Sequence, residues 1–226
     1  VELRYAKGER FYQQQQYRLT INTTSPIYTL NYSYGGKIMG SDWEYHKIKA
    51  MIQKRWFVWT FGYADVELEA GKIFGNVPFP LMFVHHANQN WAYQDEAFNL
   101  MNYYEFVSDG YAQVIFNYCF NGYIFNRIPL IKHLNWREVF AVKALWGEVT
   151  NSNYPSSERQ TLMDFPNNGN HDYTTFRLNG TPYVEANIGV DNIFKVLRLD
   201  YVRRFTYLDN PDIAKWGIRF RLRFTF

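Results

Sequence analysis

What is scarce in this chain narrows its class before any motif does. A single cysteine, Cys119, stands among 226 residues, which excludes an internal disulfide framework. Nowhere do apolar residues run for the ~18 positions that a membrane-crossing helix requires. That excludes a helical membrane protein but not a strand-built one, because alternating strands average out in hydropathy. Charge of one sign is never massed: 24 Lys and Arg stand against 21 Asp and Glu, a formal +3. A nucleic-acid footprint and a charged tail are therefore not expected. The opening VELRYAKGERF is a mixed polar segment rather than a signal peptide, so the chain is expected to be mature or missing its N-terminal part.

Aromatic residues are what the chain has in excess: 19 Tyr, 19 Phe and 7 Trp make up 20% of it. Soluble cores draw mainly on Leu, Val, Ile and Ala. Rings in bulk belong where side chains meet a bilayer and its interfaces. A length of ~200 residues suits one all-β domain, so 1–226 is read as a single unit without a linker.

Alternation with period two, the mark of a strand, organises the chain. Trp216, Ile218, Phe220, Leu222, Phe224 and Phe226 share one face at the C-terminus, and Arg219, Arg221, Arg223 and Thr225 share the other. Before them, Leu197, Leu199, Tyr201, Phe205 and Tyr207 oppose Arg198, Asp200 and Arg204, with Arg203 interrupting the apolar face. Val184, Ala186, Ile188 and Val190 alternate with Tyr183, Glu185, Asn187 and Gly189. Phe140, Val142, Ala144 and Trp146 oppose Lys143, although Val139 and Leu145 weaken that polar face. Ala112, Val114, Phe116 and Tyr118 oppose Gln113 and Asn117, and Ala64, Val66, Leu68 and Ala70 oppose Asp65, Glu67 and Glu69. Ile48, Ala50 and Ile52 oppose Lys47, Lys49, Gln53 and Arg55, and Tyr28, Leu30, Tyr32 and Tyr34 oppose Thr29, Asn31 and Ser33. These runs predict strands near 27–34, 44–55, 63–71, 110–121, 137–149, 181–192, 195–208 and 215–226, with a weaker one through 2–5.

Turn residues separate the runs, among them Gly35, Gly36, Gly122, Asn210 and Pro211. Two connections are long. Residues 150–178 open with a stretch rich in Asn, Ser and Pro that reads as an exposed loop. Residues 74–108 hold Pro78, Pro80, His85, His86 and Trp91 among many aromatics. Connections this long inside a compact domain are usually functional.

Period two alone does not say which face is wet. Three features point the apolar face toward lipid. The strands read as ~9–12 residues, the length of a tilted membrane strand against ~5–6 in soluble sheets. Full charges recur on the polar faces, as a hydrated or salt-bridged lumen tolerates, and aromatics gather near strand ends as interface girdles do. The expected architecture is an antiparallel transmembrane β-barrel with about nine strands present. Asp65, Glu67 and Glu69 against Arg219, Arg221 and Arg223 suggest a lumen with a field across it or a sealing ion-pair network. The plainer reading is that lumen side chains need only be hydrated.

The segments FNLMNYYEFVSD (98–109), FNGYIFNRIPLIKHLNWREV (120–139), PYVEANIGVDNIFKVLRLDYVRRFTYL (182–208) and the terminal WGIRFRLRFTF carry a family resemblance. They resemble a Bacteroidetes-type outer-membrane family of uncharacterised function, which joins a carboxypeptidase-regulatory-like module to a barrel similar to the BamA/TamA surface-antigen superfamily. The resemblance implies the C-terminal part of a sixteen-stranded barrel, with an inward-folding loop ahead of five final strands and about seven strands before Val1. It places Phe98, Asn99, Tyr103 and Glu105 in that loop, where the arginine motif typical of BamA-type proteins is not visible. The terminal Phe226, with Phe220, Leu222 and Phe224 in step behind it, resembles the signal by which assembly machinery recognises such barrels. Implied partners are outer-membrane lipids, with other barrels or surface lipoproteins as further candidates. The implied role is assistance in inserting, translocating or scaffolding envelope proteins. A structural subunit and a diffusion pore are the alternatives.

Catalytic chemistry is not expected. Adjacent His85 and His86 on an extended chain point to opposite sides and lack spaced further ligands, so no metal or cofactor is assigned. Glu105 with Asp109 is a conceivable carboxylate pair, but Glu105 reads better as a residue that folds the loop into the lumen. No serine-nucleophile motif, phosphate-cradling glycine loop or zinc spacing is present.

Overall fold

A computed structural model describes residues 1–13, 17–20 (backbone alone for 18–20), 24–36, 40, 42–155, 165–166 and 174–222. In chain order the strands are β1 (Glu2–Ala6), β2 (Phe11–Gln13), β3 (Arg18–Thr20), β4 (Ile27–Gly35), β5 (Tyr45–Phe57), β6 (Tyr63–Phe74), β7 (Phe83–Val84), β8 (Val107–Ser108), β9 (Gly110–Cys119), β10 (Arg137–Glu148), β11 (Tyr183–Ile193), β12 (Leu197–Arg204) and β13 (Trp216–Leu222). The described residues contain no α-helix. Nine of the strands form one antiparallel sheet in the order β1-β4-β5-β6-β9-β10-β11-β12-β13. The sheet is open, with β1 and β13 as its edges, so closure into a barrel is not part of what is seen. The long strands span 13 residues in β5 and 12 in β6 and β10, well beyond the ~5–6 typical of globular sheets.

Register keeps the two faces chemically distinct from edge to edge. Ile52 pairs with Leu68, Leu68 with Val114, Val114 with Ala144 and Ala144 with Val184, so apolar residues line up across five strands. A second apolar row runs from Val190 through Leu199 to Phe220. This outer face is exposed at Leu30, Ile48, Leu68, Trp146, Ile188 and Ile218. Arg203, the interruption in that pattern, sits at the end of β12 with its guanidinium 5.9 Å from the Phe205 ring. There a long side chain can lay its stem on apolar surface and hold its charge away from it. On the other face, Leu145 is buried in the hydrophobic core, which explains why β10 lacks a uniformly polar side.

Several elements differ from the sequence reading. β12 stops at Arg204, because Phe205 to Tyr207 turn away into the connection to β13. The short ladders β2–β3 and β7–β8 have too few residues for alternation to be legible. Residues 150–178 are not simply an exposed loop: Asn153, Phe165 and Thr175 are buried. Asn153 accepts from the Val77 amide and donates to Asp109, which pulls the start of this connection against 75–106. Arg223, Phe224, Thr225 and Phe226 lie outside the described residues.

Connections sort by end. Residues 7–26, 58–62, 120–136 and 194–196 connect strands at the end where β13 finishes, called here the tight end. Gly62 is obligatory in the 58–62 turn. Its φ is +106° and a Cβ there would lie 1.8 Å from the Cys119 carbonyl oxygen. The loop end carries the two longest segments, 75–106 and 149–182.

Candidate functional site: the loop-covered inner face

Segment 75–106 leaves β6 and lies across the inner face of the sheet. Apolar side chains seat it first: Val77, Met82, Phe83, Phe98, Met101 and Phe106 pack against Ile73, Tyr111, Leu145 and Tyr183 of the strands. Tyr93 and Leu100 form a second cluster with Val202. Bringing these groups out of water supplies the non-directional part of the docking.

Asparagines shape the tip of the segment. Asn88 donates to the Ala92 carbonyl and to Asn99 Oδ1, and accepts from the Asn90 amide. Asn99 donates to the Gln94 and Ala97 carbonyls. Short amide side chains satisfy backbone groups that regular structure would otherwise pair, which is how Asn stabilises irregular chain.

Charged strand residues then fasten this shaped tip. Glu185 accepts from the Asn99 and Leu100 amides at 2.7 and 3.1 Å. Lys143 donates to the Gln94 and Ala97 carbonyls at 2.8 and 2.5 Å, and Arg219 to the Asn99 carbonyl at 2.9 Å. The Tyr93 ring stands 5.0 Å from Lys143 Nζ and 4.4 Å from the Arg198 guanidinium, while its hydroxyl donates to Asn187. Burial raises the Tyr93 phenol, so it stays a neutral donor. Asp95 pairs with both Arg198 and Arg221, and Arg198 also forks onto Asp200 at 2.6 and 2.8 Å.

The deepest tie is Glu105 with Arg204, a two-pronged contact at 2.6 and 3.0 Å between side chains that are 2% and 0% exposed. The carboxylate also accepts from the Asn102 amide and from Asn210. Such completeness is what a buried ion pair needs to offset its desolvation.

The proposed lumen charges take separate places. On β6, Asp65 pairs with Arg55, Glu67 accepts from Gln53, and Glu69 pairs with Lys49 and accepts from Tyr111. Arg219 and Arg221 turn to the loop tip instead. Among the described residues, the acidic and basic rows therefore do not pair across the inner face. Phe98 and Asn99 are wholly buried in the docked loop, whereas Tyr103 is exposed. Glu105 and Asp109 are not a pair: Asp109 accepts from Thr150 and Asn153 and faces Lys72. Burial works against its charge, yet these donors and the lysine hold its carboxyl below the usual range. Of the barrel-signal residues, Trp216, Ile218 and Leu222 are exposed on the outer face, and Phe220 lies against Trp91 with ring centroids 4.2 Å apart.

That last contact reaches the sheet edge. The Phe220 amide donates to the Trp91 carbonyl at 3.1 Å, and the Tyr93 amide to the Phe220 carbonyl at 2.8 Å. Loop residues 91–93 thus add a short parallel bridge to the outer edge of β13.

His85 and Ser108 form what a catalytic dyad would resemble, with Nε2 3.0 Å from Oγ. Ser108 has no exposed surface, and a Cβ on Gly147 above it would stand 2.3 Å from its hydroxyl. A hydroxyl so enclosed cannot meet a substrate, and the pair fastens the start of the loop. Burial, with repulsion from His86 and Lys49, pushes the His85 imidazole down to about 3. No group of three or more metal-ligating side chains occurs among the described residues. Beside the docked tip, a cavity of about 610 Å³ is lined by Arg55, Asp65, Glu67, Asp95, Asn117 and Arg221 among others.

Sequence reasoning missed Lys143, Glu185, Arg198 and Arg204 as site residues. Each was legible as a polar position on a strand, and Lys143 is conspicuous inside FAVKALW. Lys143 and Glu185 meet backbone carbonyls and amides of the loop, which a side-chain pattern does not announce. Arg198 and Arg204 meet Asp95 and Glu105, carboxylates about a hundred residues away in the chain.

An all-β chain with one open nine-stranded sheet, an exposed apolar face and a polar face fastened to its own loop is the class defined here. The chain belongs to a family of unknown function, DUF5686, whose C-terminal domain matches residues 1–156. No curated protein matches it.

Proposed function

We propose that this chain is the C-terminal part of an outer-membrane β-barrel of the BamA/TamA-like type, which assists the insertion, translocation or scaffolding of envelope proteins. One observation carries the membrane reading. Large apolar side chains are exposed on eight of the nine strands, with Ala112 exposed on β9, while Lys143, Glu185, Arg198, Asp200 and Arg204 of β10 to β12 are buried on the loop-covered face. Contiguous exposed apolar surface of this extent marks an interface, and lipid suits strands of this length. Outer-membrane location and the sixteen-strand count rest on the motif resemblance.

Within that reading the working surface is the edge of β13. The backbone groups of Phe220 point away from β12, where the loop holds them through Trp91 and Tyr93, and alternation turns those of Ile218 and Leu222 to the same side. An edge with available backbone groups templates another strand. The test is depletion of the full-length protein, followed by quantification of folded outer-membrane proteins, together with crosslinking of β13 to the first barrel strand. Loss of folded barrels, with a β13 junction that can open, is expected. Normal envelope assembly with a permanently closed junction would overturn the reading.

A second reading, a non-transporting subunit of a larger outer-membrane complex, draws on the loop. Its tip contributes carboxylates and backbone while the arginines come from the strands, the reverse of a loop-borne arginine motif. Stable co-purification with other barrels or surface lipoproteins, without an assembly defect on depletion, would favour it. A diffusion pore fits less well, because segment 75–106 lies across the inner face.

A further inference from the structure

Apart from the terminal Val1, the three most exposed large hydrophobic side chains among the described residues are Trp59 at 95%, Leu130 at 86% and Phe194 at 83%. They come from three different connections, 58–62, 120–136 and 194–196, all at the tight end. The connections touch: the Phe61 and Tyr123 rings are 4.8 Å apart, and Asn192 donates to the Asn135 carbonyl at 2.7 Å. Trp59 and Phe194 are held at φ +47° and +50°, a conformation that bulky L-residues adopt at a cost and that clusters at functional positions. Two of the three turns thus spend strain to present a ring outward.

Cations border these side chains. Arg127, Lys132, Arg137 and Lys195 are exposed, and Arg127 stacks 3.8 Å over the Tyr123 ring. Acidic groups nearby are turned inward or already engaged. Glu138 accepts from the Ile124 and Phe125 amides, Asp191 from the Asn192 amide, and Asp65 pairs with Arg55. Among the described residues, the result is a ledge of protruding apolar groups set beside exposed basic side chains.

We infer that this tight-end ledge docks onto anionic phospholipid, with Trp59, Leu130 and Phe194 entering the interface and Arg127, Lys132 and Arg137 meeting headgroup phosphates. Rings and aliphatic groups beside basic residues at the ends of membrane strands are what a headgroup layer accommodates. The inference rests on the membrane reading above and adds a lipid class and an orientation: the tight end faces the leaflet that holds phospholipid.

The test uses the full-length protein in nanodiscs of phosphatidylcholine alone or mixed with phosphatidylglycerol, counting co-retained lipids by native mass spectrometry. The native chain should retain phosphatidylglycerol preferentially, and the preference should weaken in high salt. The triple variant Arg127→Gln, Lys132→Gln, Arg137→Gln should insert normally and lose the preference by roughly fivefold per cation removed. Equal retention of both lipids, or an intact preference in the triple variant, would overturn the inference and leave the membrane reading standing. Failure of the native chain to enter either nanodisc would sink the membrane reading itself. A Leu130→Cys thiol that labels freely in phosphatidylglycerol nanodiscs but is blocked in native envelopes would assign the ledge to a protein partner, against the inference.

Discussion

Glu105 and Arg204 show how much rests on single contacts. Removing one member of a fully buried pair leaves the other charge without a partner, and such changes cost ~3–5 kcal/mol. Glu105→Ala is therefore expected to lower unfolding stability by about that amount in denaturant titrations of the detergent-solubilised protein, with partial recovery on adding Arg204→Met. Tyr103→Ala, at an exposed position of the same loop, should change stability by no more than ~0.5 kcal/mol. His85 gives a pH signature. Its folded-state pKa is depressed from 6.5 to about 3, so its support for the docked loop is complete above 6.5 and is lost as pH falls toward 3. Hydrogen exchange of residues 75–106 should accelerate across that window, and His85→Gln should flatten the dependence. An unchanged profile in the variant would assign the acid sensitivity elsewhere. The sequence placed His85 in a functional loop, but only the fold brings Ser108 to its ring.

Strands were the most legible elements and the loop the least. The alternations through β5, β6 and β9 to β11 predict both the existence of these strands and the face of each residue, since period two survives any tertiary arrangement. Ends were less legible: β12 is shorter than its apolar pattern, because Phe205 and Tyr207 serve the turn and the core rather than the strand. Segment 75–106 has no period to read. Its conformation comes from Asn88 and Asn99 folding the tip and from strand charges gripping backbone groups. The edge contact at Phe220 belongs to the same category. Ala92 and Phe220 are bridge partners, as close as neighbouring strands, so cysteines at both positions should form a disulfide under mild oxidation. Failure to crosslink in the folded full-length protein would mean that the first barrel strand, not the loop, holds this edge.

For the molecule as a whole, the inversion of polarity is the decisive property. Charged Lys143, Glu185, Asp200 and Arg204 are buried, while Leu68, Ile188 and Ile218 are exposed. Composition foreshadowed this through its aromatic excess and lack of long apolar runs, and the alternation supplied the two faces. Which face meets water was not legible from periodicity, because strands of a soluble sheet and of a membrane sheet share it. The loop covers the polar face and leaves the apolar face exposed, which is what the proposed lipid-facing sheet draws on. The most direct measurement is collision accessibility of nitroxide labels at Leu68, Ile188 and Ile218 in the reconstituted full-length protein, probed with oxygen and with a water-soluble nickel chelate. Oxygen-accessible, chelate-protected labels at all three, with Tyr103 open to the chelate, are the expected result. Chelate access at the three outer positions equal to that at Tyr103 would contradict a lipid-facing sheet.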